Sequence, residues 1–315
     1  MDYSQILSQQ FNIKEEYAKN IITLLDDGNT IPFIARYRKE MHGSMDDQLI
    51  REFSEKLEYL RGLDKRRDEI RSLIDAQEKL TDEINLALDK AATLSELEDI
   101  YRPYRPKRKT RASIAKEKGL EPLANDILKQ EKGFDPSKSA VDYIDEEKGV
   151  TSVEDAIQGA MDIIAELVSD NAEIRKRIRN LTNANGVLVS VATDEEKDSV
   201  YKNYYDYKEP VKKIAGHRVL AVNRGEKEGF LKVSVETDSE KPLNSIFRAM
   251  ITDKNQLCSD IIREACTDAY QRLIYPSIER EVRNDLTDTA SENAMKVFAV
   301  NLKQLLMPVS YTHLR

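Results

Sequence analysis

Cationic side chains are concentrated from Arg102 to Lys118, and such a concentration suits contact with phosphate groups. Eight Lys and Arg residues and one acid, Glu117, fall within these 17 residues. Pro103 and Pro106 are expected to force extended backbone on the residues before them. Charges on extended backbone project in several directions, which suits contact with successive phosphates.

We therefore predict a nucleic-acid contact in this segment, where Tyr101 and Tyr104 also offer ring faces for unpaired bases. The predicted contact residues are Arg102, Tyr104, Arg105, Lys107, Arg108, Lys109 and Arg111. The alternative is a solvated loop, or arginines that bridge acidic helices of the same molecule, because the chain has 57 acidic residues. The residues alone leave both interpretations open.

Two further clusters carry similar charge. Arg36, Arg38 and Lys39 surround a tyrosine and are also predicted to contact nucleic acid, with amphipathic packing beside Ile31–Ala35 as the alternative. The third cluster, Arg175-Lys176-Arg177-Arg179, lies late in a predicted helix, where cations also interact favourably with the helix dipole.

The segment from Arg111 to Leu128 faintly resembles a helix-turn-helix. Ala115 and Gly119 are four residues apart, as the tight turn requires, and Pro122 suits the first turn of a second helix. Asn125 departs from the pattern, which expects an apolar residue at that position. Base-reading DNA recognition is therefore a further, weaker hypothesis.

Sequence patterns typical of enzymes are mostly absent. The chain has no glycine-rich phosphate loop, no HExxH and no CxxC, and neither His42 nor His217 has neighbours that suggest a ligand set. Acidic pairs such as Asp26-Asp27 and Asp46-Asp47 fall at predicted helix ends, where capping explains them. We predict no catalytic residue, no metal site and no cofactor.

Composition places limits on any nucleic-acid site. The net charge is -8, so the 315-residue chain as a whole is weakly repelled by phosphate, and a site must be a local patch. Charged residues make up 34% of a chain that has no Trp, which favours long exposed helices packed on thin cores.

Export and membrane insertion are not expected. The N-terminus lacks a signal pattern, and no apolar run approaches the roughly 20 residues of a membrane-spanning helix. Cys258 and Cys266 are eight residues apart in a helical pattern, too far for a disulfide, so we predict reduced core thiols in a cytoplasmic protein.

Helices must position most of these groups. Asn12 is expected to cap a helix that runs to Asp27, and Thr93 with Glu96 forms a predicted capping box. Ser44 and Asp47 open a long helix. Its predicted buried stripe is Leu49, Phe53, Leu57, Leu60, Leu63, Ile70 and Ile74.

Strands are predicted only near residues 187–236, as Val187–Val191, Arg218–Val222 and Phe230–Val235, with a hairpin loop at Gly225–Gly229. Two long helices, Asn255–Asn284 and Thr287–Met307, are expected to follow. The predicted fold class is mainly α: a multi-helix elongated assembly with a helix-turn-helix-like N-terminal domain and a small β-hairpin insertion.

The predicted domains are an N-terminal helical domain at 1–110, a central helical region at 111–200, and a hairpin with long C-terminal helices at 201–308. Residues 309–315 follow no pattern, so we interpret them as a non-native tail and assign no function to Tyr311 or His313.

Five separated blocks resemble the Tex family of bacterial transcription accessory proteins over nearly all of residues 1–307. The blocks are Ile31–Glu40; Glu96–Tyr101 with Pro106–Arg111; Ala115–Ala124; His217–Ala221 with Arg224–Gly225 and Lys227–Gly229; and Pro276–Glu281.

The resemblance implies a non-catalytic cytoplasmic protein that binds RNA or DNA. It also implies continuation into an RNase-H-like domain, helix-hairpin-helix modules and an RNA-binding OB-fold domain, and the chain is expected to stop before them. The alternative function is a scaffold that docks on the transcription or translation machinery.

Overall fold

The computed structural model describes residues 2–106, 108–252 and 254–312, with side chains described up to residue 306. Lys107, a predicted contact residue, and His313 of the predicted non-native tail lie outside the described residues. Contacts divide the chain into two compact units, Met1–Arg105 and Pro106–Arg315.

The first unit is helical throughout its regular structure. Its helices are α1 Tyr3–Phe11, α2 Glu15–Asp26, α3 Ile31–Tyr37, α4 Lys39–His42, α5 Asp47–Asp75, α6 Asp82–Lys90 and α7 Leu94–Tyr101. The predicted cap at Asn12 is wrong, because Asn12 ends α1 in the left-handed region at φ 51°. Thr93 does cap α7 by accepting the Glu96 N–H, while the Glu96 carboxylate accepts the Ala92 N–H.

Helix α5 organises the core of the first unit. Its apolar stripe is buried from Ile50 to Ile74, but the predicted member Leu49 is 38% exposed. Full burial of a side chain such as Phe53 contributes about 1.5–3 kcal/mol.

Arg67 is also buried, and its guanidinium donates to the carbonyl oxygens of Leu88 and Ala91 at 2.8 and 3.0 Å. This pairing satisfies carbonyl groups at the C-terminal end of α6.

The second unit combines helices with one small sheet. Its elements are α8 Arg111–Glu117, α9 Glu121–Lys129, α10 Pro136–Ala140, α11 Val153–Asp170, α12 Ala172–Asn185, β1 Val187–Ala192, β2 Asp206–Pro210, α13 Gly216–Lys227, β3 Leu231–Glu236, α14 Glu240–Met250, α15 Gln256–Asp268 and α16 Tyr275–Thr312. A π-helical segment, Ala269–Ile274, joins α15 to α16.

The sheet is three-stranded and antiparallel, in the order β2-β1-β3. The predicted strand Arg218–Val222 is wrong, because these residues belong to α13. Val219, Val222 and Gly225 are its buried positions, and this three-residue spacing is helical. A Cβ on Gly225 would lie 2.5 Å from Leu231 Cδ1, so glycine allows α13 to approach β3 closely.

Helix α16 is longer than the sequence indicates. The predicted break near Leu286 is absent, and the helix continues through Pro308 to Thr312, although proline has no backbone N–H to donate to the Gln304 carbonyl. Cys258 and Cys266 are both buried free thiols, as predicted. Burial raises the pKa of Cys266 to about 12, so this thiol stays protonated at neutral pH.

Candidate nucleic-acid interface

The first basic cluster consists of Arg36, Arg38 and Lys39, at the junction of α3 and α4. Pro32 lies in the first turn of α3, where its missing N–H costs nothing. Ile34 is buried, and the buried His42 ring donates from Nε2 to the Ile34 carbonyl oxygen at 3.1 Å. These contacts anchor the inner side of the junction, so its cations project outward.

All three cations of the first basic cluster are exposed. Among the residues that the structure describes, no carboxylate oxygen lies within 4.0 Å of their charged nitrogens. Tyr37 is 66% exposed, and its ring centroid lies 5.4 Å from that of Phe33. The Arg38 guanidinium lies over the Phe33 ring at 5.5 Å. The cluster therefore offers unpaired positive charge together with an exposed aromatic ring.

The basic segment that begins at Arg102 divides between the two units. Arg102–Tyr104 is a 3-10 turn, so the expected extended backbone at Arg102 is wrong: its φ and ψ are -52° and -43°. Helix α7 runs directly into this turn, which explains the helical backbone before Pro103. Arg105 is extended as predicted, with φ -66° and ψ 134°.

Internal contacts occupy the part of this segment that lies in the first unit. Arg105 forms an ion pair with Glu98 and lies over the Tyr101 ring at 5.7 Å. Glu98 also accepts from Arg66 at 2.7 Å. Tyr104 is half-buried against the core, and its carbonyl oxygen accepts from the Gln77 amide at 2.9 Å. These side chains are less available for phosphate or bases than the sequence suggests.

In the second unit the segment is more exposed at its beginning than at its end. Arg108, Lys109 and Arg111 are exposed, and the Lys109 ammonium is 3.9 Å from Glu117. Lys116 pairs with Glu121 at 3.0 Å, and Lys118 donates to the Gly149 carbonyl oxygen at 2.7 Å. Lys107 lies outside the described residues.

The positive charge of Arg111 also acts on Asp162, a half-buried carboxylate of α11. Burial raises the pKa of Asp162, while the positive charges of Arg272, 3.5 Å away, and of Arg111 oppose this rise. Thr110 caps α8 by accepting the Ser113 N–H, and its hydroxyl donates to Glu166 at 3.0 Å. The start of α8 is thus held against α11, with Arg111 at its first position.

Helices α8 and α9 are joined by a short turn in which Gly119 has φ +83°. This matches the helix-turn-helix arrangement of elements, and Pro122 lies in the first turn of α9 as expected. Leu123, Ala124 and Ile127 form the buried face of α9, whereas Asn125 is exposed. Base reading by this pair of helices stays a prediction.

The third cluster is divided by the helical period of α12. Arg175 and Arg179 are buried together with Ile174 and Ile178, because all four fall on one face. Arg175 donates to the Ser277 hydroxyl at 3.0 Å, and Arg179 donates to Glu281 at 2.6 Å. Both partners belong to α16, so these two arginines join α12 to α16.

Sequence reasoning missed a basic groove between α12 and α14. It is lined by Arg177, Leu181, Lys241, Asn244, Ser245 and Arg248. The four α14 residues follow the spacing i, i+3, i+4, i+7, which defines one helix face. The sequence contains this spacing, but only two of the four residues are charged, so they form no dense basic run that would predict a site.

The acidic pairs have structural roles. Asp46 caps α5 as predicted, by accepting the Leu49 N–H at 2.8 Å. The predicted capping role of Asp26 is wrong, because Asp26 lies at the C-terminal end of α2 and forms a two-bond ion pair with Arg61 at 2.7 and 2.8 Å. Within the described ranges, no group of three His, Cys, Asp or Glu side chains could hold a metal ion. None of the helices in the described ranges combines the length and apolar character needed to cross a membrane.

The fold is mainly helical, and two protein-family models match the chain. Residues 1–75 match the family model described as Tex-like protein N-terminal domain, and residues 131–298 match the Tex central region-like model. Together these matches cover most of the chain, and the chain belongs to the Tex family.

Several curated proteins are similar over almost the whole chain. YdcI of Bacillus subtilis, named as uncharacterized, is 43% identical over 98% of this chain and 44% of its own length. Transcriptional accessory protein Tex of Neisseria gonorrhoeae is 36% identical over 98% of this chain and 41% of its own length. Human S1 RNA-binding domain-containing protein 1 is 31% identical over 97% of this chain and 32% of its own length. The chain thus spans less than half the length of these relatives.

Proposed function

We propose that this chain supplies auxiliary nucleic-acid contacts in a non-catalytic, cytoplasmic transcription accessory protein. The observation that carries the proposal is the first basic cluster, in which three exposed cations flank an exposed tyrosine. The similarity to a relative named as a transcriptional accessory protein supports the biological setting.

Local charge supports the proposal better than the total charge does. The chain carries -8 overall, so only groups that extend away from the acidic surface can approach phosphate closely. Arg36, Arg38 and Lys39 meet this requirement, and so do Arg108 and Arg111, whereas Lys109 lies 3.9 Å from the Glu117 carboxylate. Tyr37 adds a stacking face, which favours single-stranded RNA or DNA over a duplex.

The contact is proposed as auxiliary because the relatives are more than twice as long as the matched region. One of them is named for an S1 RNA-binding domain. We propose that the main RNA affinity of the full-length proteins resides in such a domain, and that the clusters described above extend the path of the strand.

A salt titration tests this function. The affinity of the 315-residue chain for a labelled 20-nucleotide oligouridylate is measured by fluorescence anisotropy between 50 and 200 mM NaCl. Each lost phosphate contact should reduce the slope of log affinity against log salt by about 0.7. We expect a reduction of about two units in R36E/R38E/K39E, and a smaller one in R108E/K109E/R111E. Unchanged affinity and slope in both variants would refute the proposal.

A protein-docking scaffold is the second candidate, and one observation favours it. Beyond Ala290, α16 exposes apolar side chains, including Met295 at 73% and Phe298 at 66%. Exposed apolar surface of this kind favours a protein partner. Binding of purified RNA polymerase or ribosomes should fall in M295E/F298E but not in N301E/Q304E, which adds the same charge at the same spacing on the same helix. Equal binding by both variants would remove this candidate.

A further inference from the structure

The groove between α12 and α14 is an open cavity with a volume of about 430 Å³, and three basic side chains line it. Arg177 projects from α12, while Lys241 and Arg248 project from α14, and all three are exposed. Asn244 and Ser245 add neutral hydrogen-bonding groups between the two α14 cations. Positive charge and neutral donors are thus presented along one open channel.

The two helices that form this groove pack against the core on their inner faces. Ile178 of α12 and Ile246 of α14 are both buried in the main core of the second unit. On α12, Arg175 and Arg179 are buried in their contacts with α16, which leaves Arg177 on the outer face. The helices that form the base of the groove are therefore fixed by the core of the second unit.

The charges of the groove are not neutralised by the acids that the structure describes. No carboxylate oxygen from those residues lies within 4.0 Å of the charged nitrogens of Arg177, Lys241 or Arg248. The acids closest in sequence, Glu173 and Glu240, do not line the groove. An anion that enters would meet three cations, and the described lining residues include no carboxylate.

We infer that this groove binds the phosphate backbone of a single nucleic-acid strand. Lys241 and Arg248 are seven residues apart on one face of α14, a rise of about 10.5 Å along the helix, so positive charge extends along the groove and is not confined to one point. Two of the three cations are arginines, whose forked donors match phosphate oxygens. The inference deepens the proposed function and rests on it, because it identifies a further contact of the same kind in the second unit.

The lining also defines what the groove recognises. Its described lining residues include no aromatic side chain on which a base could stack, in contrast to the first basic cluster with Tyr37. Phosphate contacts alone carry no sequence information. The groove therefore binds RNA and DNA strands alike and shows no preference among bases.

The test compares two variants of the 315-residue chain with equal charge change. R177Q/K241Q/R248Q neutralises the groove, and K132Q/K232Q/R280Q neutralises three exposed cations of the same unit outside it. The probes are labelled 20-nucleotide oligouridylate, oligodeoxythymidylate and a deca-glutamate peptide. The groove variant should lose about two units of salt slope with both oligonucleotides, at about 0.7 per contact, while the control keeps the wild-type slope.

Equal losses in groove and control variants would overturn the inference, because net charge alone would then explain them. A groove-dependent loss of deca-glutamate binding with unchanged oligonucleotide binding would overturn it in favour of an acidic protein segment. The inference alone fails if R36E/R38E/K39E loses slope and the groove variant does not. The reverse result would sustain the groove and remove the first basic cluster from the proposed function.

Discussion

Two clusters of similar charge density, Arg36–Lys39 and Arg175–Arg179, have opposite placements. Each has three or four cations within five residues, and each follows or lies in a helix. In the first, Arg36, Arg38 and Lys39 are exposed. In the second, Arg175 and Arg179 are 2% and 9% exposed and bond to α16.

Charge density therefore does not separate exposed cations from buried, structural ones. The two kinds of cation are separated by the position of each one relative to the buried apolar residues of its helix. Arg175 and Arg179 each follow a buried isoleucine and fall on the core face of α12, whereas Arg177 falls between them and points outward. Arg36–Lys39 lies where α3 ends and α4 begins, so no continuous helical face draws its cations into the core.

Among the substitutions considered, one in the third cluster should change stability the most. Arg179→Ala removes the 2.6 Å contact to Glu281 and leaves that carboxylate 20% exposed without its partner. We expect the free energy of unfolding of the second unit to fall by about 2–3 kcal/mol, because a desolvated charge is left unpaired. Urea denaturation followed by circular dichroism measures the loss.

Arg177→Ala is the matched control, since it removes the same side chain two residues earlier on the exposed face. Its effect should lie within about 0.5 kcal/mol, as for most surface substitutions. Equal destabilisation by the two variants would show that burial does not distinguish these arginines.

A smaller effect is expected at the aromatic ring of the first basic cluster. Tyr37→Leu removes a stacking face but no charge, so affinity for single-stranded oligouridylate should fall by about 1 kcal/mol while the salt slope stays the same. Anisotropy titrations at several salt concentrations measure both quantities. Tyr59→Leu, at a tyrosine that is 43% exposed on α5, is the control and should bind as wild type. A parallel loss of slope in Tyr37→Leu would contradict a stacking role.

The smallest effect concerns Arg111, whose charge opposes the burial-raised pKa of Asp162. Arg111→Gln should raise the pKa of Asp162 further, as followed by carboxyl NMR titration. A carboxyl pKa raised in the folded state makes ionisation costly, so stability falls as pH rises from the ordinary value of 3.8 through the raised value. The variant should show a larger fall than wild type. An unchanged pKa would mean that the Arg111 charge is directed to solvent.

The helical class was predictable because the apolar period of 3.6 residues is strong in α5 and α11. The sheet was predicted only in part. Strand β2 is Asp206-Tyr207-Lys208-Glu209-Pro210, a polar edge strand with no apolar run to identify it. The run Val219-Leu220-Ala221-Val222 suggested a strand, but its buried positions are three residues apart in α13.

The positions of cations were predictable, but their partners were not. Arg179 bonds to Glu281, which is 102 residues away, and Lys118 bonds to Gly149, which is 31 residues away. Local spacing carries no information on such pairs, because they depend on how helices pack. For the same reason the groove residues Lys241 and Arg248, isolated in sequence, did not indicate a shared surface with Arg177.

We propose that exposed cations without carboxylate partners contact nucleic acid and that internally bonded cations do not. The most direct measurement compares R36Q/R38Q/K39Q with R105Q/K116Q/K118Q, which removes the same charge from residues bonded to Glu98, Glu121 and Gly149. Oligouridylate affinity is measured against salt for both. We predict a slope reduced by about two units in the first variant and an unchanged slope in the second. Equal slopes in the two variants would show that a carboxylate or carbonyl partner does not decide which cations contact nucleic acid.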